Sequence, residues 1–262
     1  MPHIDQHAPG DFCWMELATT DQNAAKAFYS AVLGWAISDV PLGPDYVYTR
    51  FLLNGRTAAS GCTMQEDERK MGIPPHWNLY VCVSSADETV KKAEQLGGKI
   101  LAPAFDVMEH GRMAVIQDPT GAVFCTWQPK KHPGVGVVGE PGAFVWADLI
   151  TRDPARAKQF YEGLFNWRIQ VGQHDDSGYQ HIKNGDKAIG GIPAAGDLDP
   201  KIPPHWMIYF AVADVDVTVA KATGVGARTF VPPTTMEQVG RFAVLADPQG
   251  AAFALFKPER RG

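Results

Sequence analysis

The chain has 262 residues, of which 45% are hydrophobic and 20% charged, and its formal net charge is −5 at pH 7. This length and apolar share predict one large soluble domain or two ordinary ones. The negative charge and the lack of a Lys/Arg cluster argue against a nucleic-acid partner. No apolar run is long enough to span a membrane, and residues 1–7 lack the order of a signal peptide. We therefore expect a cytoplasmic protein with no membrane or nucleic-acid partner.

The cysteines form no C-x-x-C pair, which argues against zinc ribbons and thioredoxin-type sites; they are Cys13, Cys62, Cys82 and Cys125. Each lies in a strand-like context, so we expect reduced thiols that pack as small core residues. A nucleophilic role for Cys125 would need a nearby base to lower its pKa, and the sequence offers none.

The first elements of the chain are an arm and a strand. Residues 1–11 are polar and contain proline and glycine, so we expect a loose N-terminal arm. Residues 12–17 predict a strand, and alternation places Trp14 and Glu16 on one of its faces.

A helix and a hairpin follow this strand. Either Thr20 or Asp21 is expected to cap the helix, and Gly34 suits the left-handed residue after its last turn. Asn54-Gly55 is a strong signal for a tight hairpin between two further strands.

The remainder of the first half contains a strand, a helix and a second hairpin. The strand follows Pro74-Pro75-His76-Trp77, and Ser85 with Glu88 forms a capping-box pattern for the helix. Asp118-Pro119-Thr120-Gly121 fits a type I turn between the last two strands.

The second half of the chain repeats this order. Trp146 lies 132 residues after Trp14, and Arg241 lies 129 residues after Arg112. The repeat covers nearly the whole chain and is too long for a solenoid unit, so it predicts two homologous domains. We divide the chain into an arm (1–11), a first domain (12–128), a linker (129–142) and a second domain (143–259).

This pattern resembles the vicinal oxygen chelate superfamily, which includes glyoxalase I, bleomycin-resistance proteins and extradiol dioxygenases. The motifs that carry the resemblance are Thr20-Asp21, the run from Ala24 to Tyr29, Gly34-Trp35 and Asp118-Pro119-Thr120-Gly121, each with a second-half counterpart. Tandem halves of this kind look like two-domain bacterial members called hydroxylases. The resemblance implies an α+β fold. Two βαβββ modules per domain would form an eight-stranded, cup-shaped sheet with flanking helices and a ligand inside.

The resemblance also implies a metal site, because family enzymes hold a divalent metal that chelates two substrate oxygens. The ligand positions of the family fall on Trp14, Asn78 and Cys125 in the first half, and on Trp146, Met207 and Ala254 in the second. Tryptophan, methionine and alanine side chains cannot supply such a site, and Asn78 with Cys125 makes a poor pair of ligands for a hard cation. A shift of two residues would bring in His76 and His205, but no opening-strand histidine would partner them. We therefore expect no metal and no cofactor in either cup.

The side chains expected to point into the cups are aromatic with a few polar groups. They are Trp14, Glu16, Asn78, Tyr80, Cys125 and Trp127 in the first cup, and Trp146, Asp148, Met207, Tyr209, Ala254 and Phe256 in the second. An aromatic floor of this kind suits a flat organic ligand. The first cup is the more polar, and we favour it as the chemical site.

Two pairs of polar residues have alternative roles. Glu16 and Asp148 would act as general acid or base groups with pKa values raised by burial, or they satisfy structural hydrogen bonds. His76 and His205 either brace the domain edge or act as rim ligands.

Arg112 and Arg241 each follow a glycine at the start of a strand. They would grip an anionic ligand at the cup mouth, or they form structural salt bridges.

The sequence favours one function and leaves two alternatives open. The favoured function is a metal-free protein that binds a flat or hydrophobic small molecule. The first alternative is a metal-dependent lyase or dioxygenase with unusual ligands, and the second is a metal-independent enzyme that uses Glu16 or Asp148. The partner is a small molecule in each case, and the chain is expected to be a monomer or a homodimer.

Overall fold

The computed structural model describes residues 4–44, 46–172, 177–196 and 201–259. The first half contains β1 (Phe12–Thr19), α1 (Gln22–Leu33), β2 (Ala36–Pro41), β3 (Val47–Leu53), β4 (Arg56–Thr63), α2 (Glu66–Lys70), β5 (His76–Cys82), α3 (Ala86–Gln95), β6 (Lys99–Val107), β7 (Gly111–Gln117) and β8 (Val123–Pro129). These strands form one eight-stranded sheet in the order β2-β3-β4-β1-β5-β8-β7-β6.

The second half forms a second sheet of the same kind. Its elements are β9 (Phe144–Ile150), α4 (Pro154–Phe165), β10 (Arg168–Val171), β11 (Gln180–Asn184), β12 (Lys187–Ile192), β13 (His205–Ala211), α5 (Val215–Gly224), β14 (Arg228–Met236), β15 (Gly240–Ala246) and β16 (Ala252–Pro258). The strand order is β10-β11-β12-β9-β13-β16-β15-β14. The predicted α+β fold with two tandem eight-stranded sheets is confirmed. No helix among the described residues is long and apolar enough to cross a membrane.

The local sequence signals explain how these elements begin and end. The Asp21 side chain accepts a hydrogen bond from the Ala24 amide, so Asp21 is the N-cap of α1. Gly34 ends that helix with a left-handed φ of 74°. Asn54 and Gly55, with φ of 51° and 77°, make the tight hairpin between β3 and β4.

The register of β1 places the site residues on the concave face of the first sheet. Antiparallel pairing with β5 sets Trp14 opposite Tyr80 and Glu16 opposite Asn78, so these four side chains share one face. The edge strands β2 and β6 lie at opposite ends of the sheet, yet both line the same cavity. The sheet therefore curls around that cavity as a cup.

The two halves pack through an aromatic interface on the side of the helices. Trp35 and Trp77 both lie edge-on to Phe210 of the second half, with ring centroids 5.3 and 5.2 Å away. The Tyr29 hydroxyl donates to Asp247 of the second half at 3.1 Å. In the opposite sense, Tyr161 donates to Asp118 at 2.9 Å. The helix motif that carries the family resemblance thus forms the interface between the halves.

The N-terminal arm is docked over residues 4–11, and the prediction of a loose arm is wrong there. The amide of Ile4 donates to the carbonyl of Gly136 at 3.2 Å, and Gly10 donates to Cys82 at 2.8 Å. The arm also contacts the second half, because Trp167 Nε1 donates to the Gly10 carbonyl at 2.9 Å.

The linker is packed in the same way. Val135 and Val137 are buried, and the Val135 amide donates to the Cys13 carbonyl of β1 at 2.8 Å. Trp35 Nε1 donates to the linker carbonyl of Gly142 at 2.6 Å. The linker is therefore packed against the first half, and its Gly142 amide also donates to Ala211 of the second half at 2.7 Å, so it is not a free tether.

Candidate functional site

A cavity of about 240 Å³ opens in the first cup. Trp14, Tyr48, Tyr80 and Trp127 form its aromatic walls, Val40, Leu42, Val107, Met108 and Met113 its apolar rim, and Glu16, Arg50, His110 and His132 its polar positions. A mostly aromatic wall with a few converging polar groups is typical of a small-molecule site.

A hydrogen-bonded network fixes Glu16 at the floor of this cavity. Tyr48 donates to Glu16 Oε2 at 2.5 Å, and Tyr80 donates to Glu16 Oε1 at 2.9 Å. The Tyr48 oxygen accepts from Trp14 Nε1 at 3.2 Å and lies 2.7 Å from Ser60 Oγ. The carboxyl group therefore orders two of the aromatic walls directly and a third through Tyr48.

Burial shifts the pKa values within this network. It raises the pKa of Glu16, and the hydrogen bonds from Tyr48 and Tyr80 oppose that shift. Burial and the nearby Glu16 charge raise the pKa of both tyrosines well above their usual range. Both hydroxyls consequently stay protonated and remain donors to the carboxyl group.

His132 enters the cup from the linker. Its ring lies edge-on to Trp14, with centroids 4.4 Å apart, and its carbonyl accepts from Trp127 Nε1 at 2.9 Å. Burial first, and then the neighbouring His110, lower the pKa of His132 to about 4. The Gly134 amide donates to Nδ1 at 3.1 Å, so the proton of the neutral ring is on Nε2.

Arg50 adds a permanent positive charge to the cavity wall. It pairs in register with Ser60, which in turn pairs with Glu16, so the three residues form a row across neighbouring strands. Its Nε atom is buried without a hydrogen-bond partner. Its Nη2 atom donates a hydrogen bond to Ser38 Oγ at 3.3 Å.

The second cup repeats the carboxyl network with a different filling. Asp148 Oδ1 accepts from Tyr179 at 2.5 Å and from Trp146 Nε1 at 3.0 Å. Burial raises the pKa of Asp148. The remaining predicted residues of this cup pack into one apolar cluster: Met207, Tyr209 and Ala254, with Trp146 and Phe256 against them.

Two register positions distinguish the cups. Gly191 takes the place of Ser60, and a Cβ atom there would overlap the Tyr179 hydroxyl. His181 takes the place of Arg50, since His181 pairs with Gly191 as Arg50 pairs with Ser60. The second cup thus has neither the hydroxyl nor the arginine of the first.

Two predicted residues of the first cup lie at its margin. Asn78 is opposite Glu16 on the cup face, but the residues that line the cavity do not include it. Cys125 pairs in register with Tyr80 and is 2% exposed. Burial raises the pKa of its thiol, which leaves it a packed, inert cysteine.

Arg112 and Arg241 do not face the cups, and of the two roles expected for them the geometry favours the structural salt bridge. Met113 lines the first cavity, so alternation along β7 turns Arg112 to the opposite face. There it forms a forked ion pair with Asp87 at 2.8 and 2.9 Å. Arg241 forms the same pair with Asp216 at 2.6 and 2.7 Å.

We expect Arg112→Ala to leave ligand binding in the first cup within about twofold of the wild type, because the changed residue lies on the other face of the sheet. Isothermal titration calorimetry with the flat probe 2-naphthamide measures the affinity of the variant. A tenfold loss of affinity in Arg112→Ala would show that the arginine reaches the ligand.

His76 and His205 fit the bracing interpretation. Nδ1 of His76 lies 2.8 Å from the Pro74 carbonyl, and Nδ1 of His205 lies 2.9 Å from the Pro203 carbonyl. Each ring is therefore held by its own loop. The two histidines begin β5 and β13, the strands that pair with β1 and β9.

Comparison with known proteins agrees with this architecture. A family model described as the Glyoxalase/Bleomycin resistance protein/Dioxygenase superfamily matches residues 11–126 and 143–255. The chain belongs to this superfamily. The resemblance predicted from the sequence is thereby confirmed.

Similar superfamily members have both related sequences and related folds. CFP32 of Mycobacterium tuberculosis, named provisionally as a glyoxylase, is 40% identical over an alignment of 264 positions that covers 98% of each chain. The anthracycline biosynthesis protein DnrV of Streptomyces peucetius is 32% identical over 96% of this chain and 94% of its own.

Among solved structures, the Mn(II)-bound glyoxalase of Novosphingobium aromaticivorans matches with a TM-score of 0.63 at 13% identity, over 95% of this chain and 82% of that one. An extradiol ring-cleaving dioxygenase from B. fuscum matches with the same score and identity over 99% of this chain and 75% of that one. These matches establish a shared fold.

The residues of the first cup do not fit the metal of these superfamily enzymes. Among the described residues, no group of three or more His, Cys, Asp or Glu side chains is placed to hold a metal ion. The Glu16 oxygens instead accept hydrogen bonds from Tyr48 and Tyr80, and tryptophan and tyrosine donors surround them in place of metal ligands.

Among the aromatic and polar residues of the cavity, the inward-facing set expected from the sequence did not include Tyr48, Arg50, His110 and His132. Tyr48 and Arg50 share a face by strand alternation, and the hairpin signal at Asn54-Gly55 already placed them on a strand. His132 lies in the proline- and glycine-rich linker, where no periodic pattern indicates which way a side chain points.

Proposed function

We propose that the first cup binds a flat, largely hydrophobic metabolite and does so without the superfamily's metal. The observation that carries this proposal is the aromatic cavity of about 240 Å³ with a tyrosine-held carboxyl group at its floor. Flat ring systems pack well against tryptophan and tyrosine faces. The name of DnrV, which refers to anthracycline biosynthesis, supports such a ligand, because anthracyclines contain flat fused rings.

In this proposal Glu16 orders the aromatic floor and does not transfer a proton. Both of its oxygens already accept tyrosine hydrogen bonds, and those bonds hold Tyr48 and Tyr80 in one geometry. A wall ordered before binding loses little side-chain entropy when the ligand arrives. Asp148 has the equivalent role in the second cup, where it accepts a hydrogen bond from Tyr179. There the side chains of the cup, including Met207 and Tyr209, already pack against one another.

The proposal is tested with 2-naphthamide, a neutral flat probe, and with two matched variants. We expect Trp14→Ala to weaken binding at least about tenfold, because it removes a large aromatic wall. Trp146→Ala, its counterpart in the second cup, should bind as the wild type does. Isothermal titration calorimetry measures affinity and stoichiometry without interference from tryptophan fluorescence.

Further measurements keep this test decisive. Trp14→Phe retains an aromatic ring but loses the Nε1 donor to Tyr48, so it should bind with intermediate affinity. Thermal melts of each variant establish that the fold is retained. Equal affinity in the wild type and Trp14→Ala, or a loss confined to Trp146→Ala, would exclude the first cup as the binding site.

A further inference from the structure

We infer that the first cup recognises an acidic oxygen of its ligand, a carboxylate or an enolate carried on the flat ring system, through Arg50 with His132 as a neutral second donor. This inference rests on the proposed function and specifies the ligand class for the same cavity. Arg50 is a cation in the cavity that takes no part in the hydrogen bonds between Glu16, Tyr48 and Tyr80.

The guanidinium of Arg50 has no anionic partner among the described residues. Its Nε atom is shielded from solvent and unpaired, and Ser38 supplies one weak contact at 3.3 Å. A buried donor of a charged group is costly to leave unsatisfied. A ligand oxygen in the cavity would satisfy it, and the planar fork of arginine suits a carboxylate.

The nearest carboxyl group in the row is already engaged. Glu16 lies two strands from Arg50, on β1, with Ser60 of β4 between them, so the two backbones are about 10 Å apart. Glu16 accepts from Tyr48 and Tyr80 instead. The positive charge of Arg50 therefore remains available to a ligand.

His132 supplies a second donor in the same cavity. Its Nδ1 accepts from the Gly134 amide at 3.1 Å, which leaves Nε2–H as the donor of the neutral ring. Both His132 and Arg50 line the cavity. A neutral imidazole beside an arginine can donate to an anionic oxygen without adding a second charge that must be desolvated.

The second cup provides a natural contrast. Where the first cup has Arg50, the second has His181, whose ring lies 5.1 Å from Tyr179. An anion-binding function of this position is therefore expected in the first cup alone, and the matched substitution at His181 serves as the control.

Two probes of the same shape test the inference: 2-naphthoate, which carries a carboxylate, and 2-naphthamide, which is neutral. We expect the wild type to bind 2-naphthoate at least about tenfold more tightly than 2-naphthamide. Arg50→Gln should weaken 2-naphthoate binding about 30-fold and change 2-naphthamide binding less than about threefold. His181→Gln should change neither.

Arg50→Lys supports the test if Arg50→Gln does not fold, since it keeps the charge and loses the fork; it should bind 2-naphthoate with intermediate affinity. If the ratio of the two affinities is the same in the wild type and in both Arg50 variants, the anion subsite is overturned while the flat-ligand cup stands. If neither probe binds the wild type, the proposed function fails, and this inference fails with it.

Discussion

Trp35→Ala is expected to lower the free energy of unfolding by about 3 to 5 kcal/mol, which is the usual cost of deleting a buried tryptophan ring. Trp35 is 2% exposed and stacks on Tyr29 with centroids 5.7 Å apart. It also lies edge-on to Phe210 of the second half, and its Nε1 donates to the Gly142 carbonyl. One substitution therefore removes a core ring, a contact between the halves and a tie to the linker.

Urea unfolding followed by circular dichroism measures the loss in free energy of unfolding. In thermal unfolding, the Tm should fall by roughly 10 °C for a chain of this size. Trp167→Ala is the matched variant, because Trp167 makes the same tie to Gly10; it should cost a similar amount. Both variants should still unfold in a single transition. Two separated transitions in Trp35→Ala, one of them at the wild-type position, would show that the halves are independent.

The second large effect is a loss of stability in acid that depends on His132. The pKa of this residue falls from 6.5 to about 4 on folding, because of burial first and then electrostatic interaction with His110, Arg50 and His7. Folding thus favours the neutral ring. The stabilisation is complete above pH 6.5 and is lost as the pH falls through about 4. The gap between the two pKa values corresponds to about 3 kcal/mol.

His132→Gln has no proton to gain and should not show this loss. The difference in free energy of unfolding between the wild type and His132→Gln should therefore shrink by about 3 kcal/mol between pH 7 and pH 4. The histidine resonances in an NMR titration give the pKa directly. His110→Gln should raise the pKa of His132, since His110 is the neighbour that lowers it most. A His132 resonance that titrates near 6.5 would contradict the prediction.

Most of the fold was predictable, because its signals are local and occur twice. The cap at Asp21 and the left-handed residue Gly34 delimit α1 as predicted, and Asp153 and Asn166 delimit α4 in the same way in the second half. Strand alternation also placed Trp14 and Glu16 correctly on one face. These features depend on backbone geometry within a few residues, which a sequence pattern records directly.

The candidate site was only partly predictable, because it depends on how distant segments meet. Alternation alone does not say which face of β7 meets the helices, and Arg112 pairs with Asp87 of α3 across that face. His132 reaches the cup because the Gly134 backbone passes so close to the Cys13 carbonyl that a Cβ atom would not fit there. The docked arm depends likewise on carbonyls that accept from partners far along the chain.

The crossed ties of the two tryptophans bear on how a gene for this protein can be divided. Trp35 of the first half donates to the carbonyl of Gly142, which lies just before the second sheet. Trp167 of the second half donates to the carbonyl of Gly10, which lies just before the first sheet. A cut between Pro129 and Val135 would leave the first fragment with Gly10, the acceptor for Trp167. The second fragment would keep Gly142, the acceptor for Trp35. Separate expression of the halves would therefore yield fragments that complement each other in trans, each supplying its partner's missing acceptor.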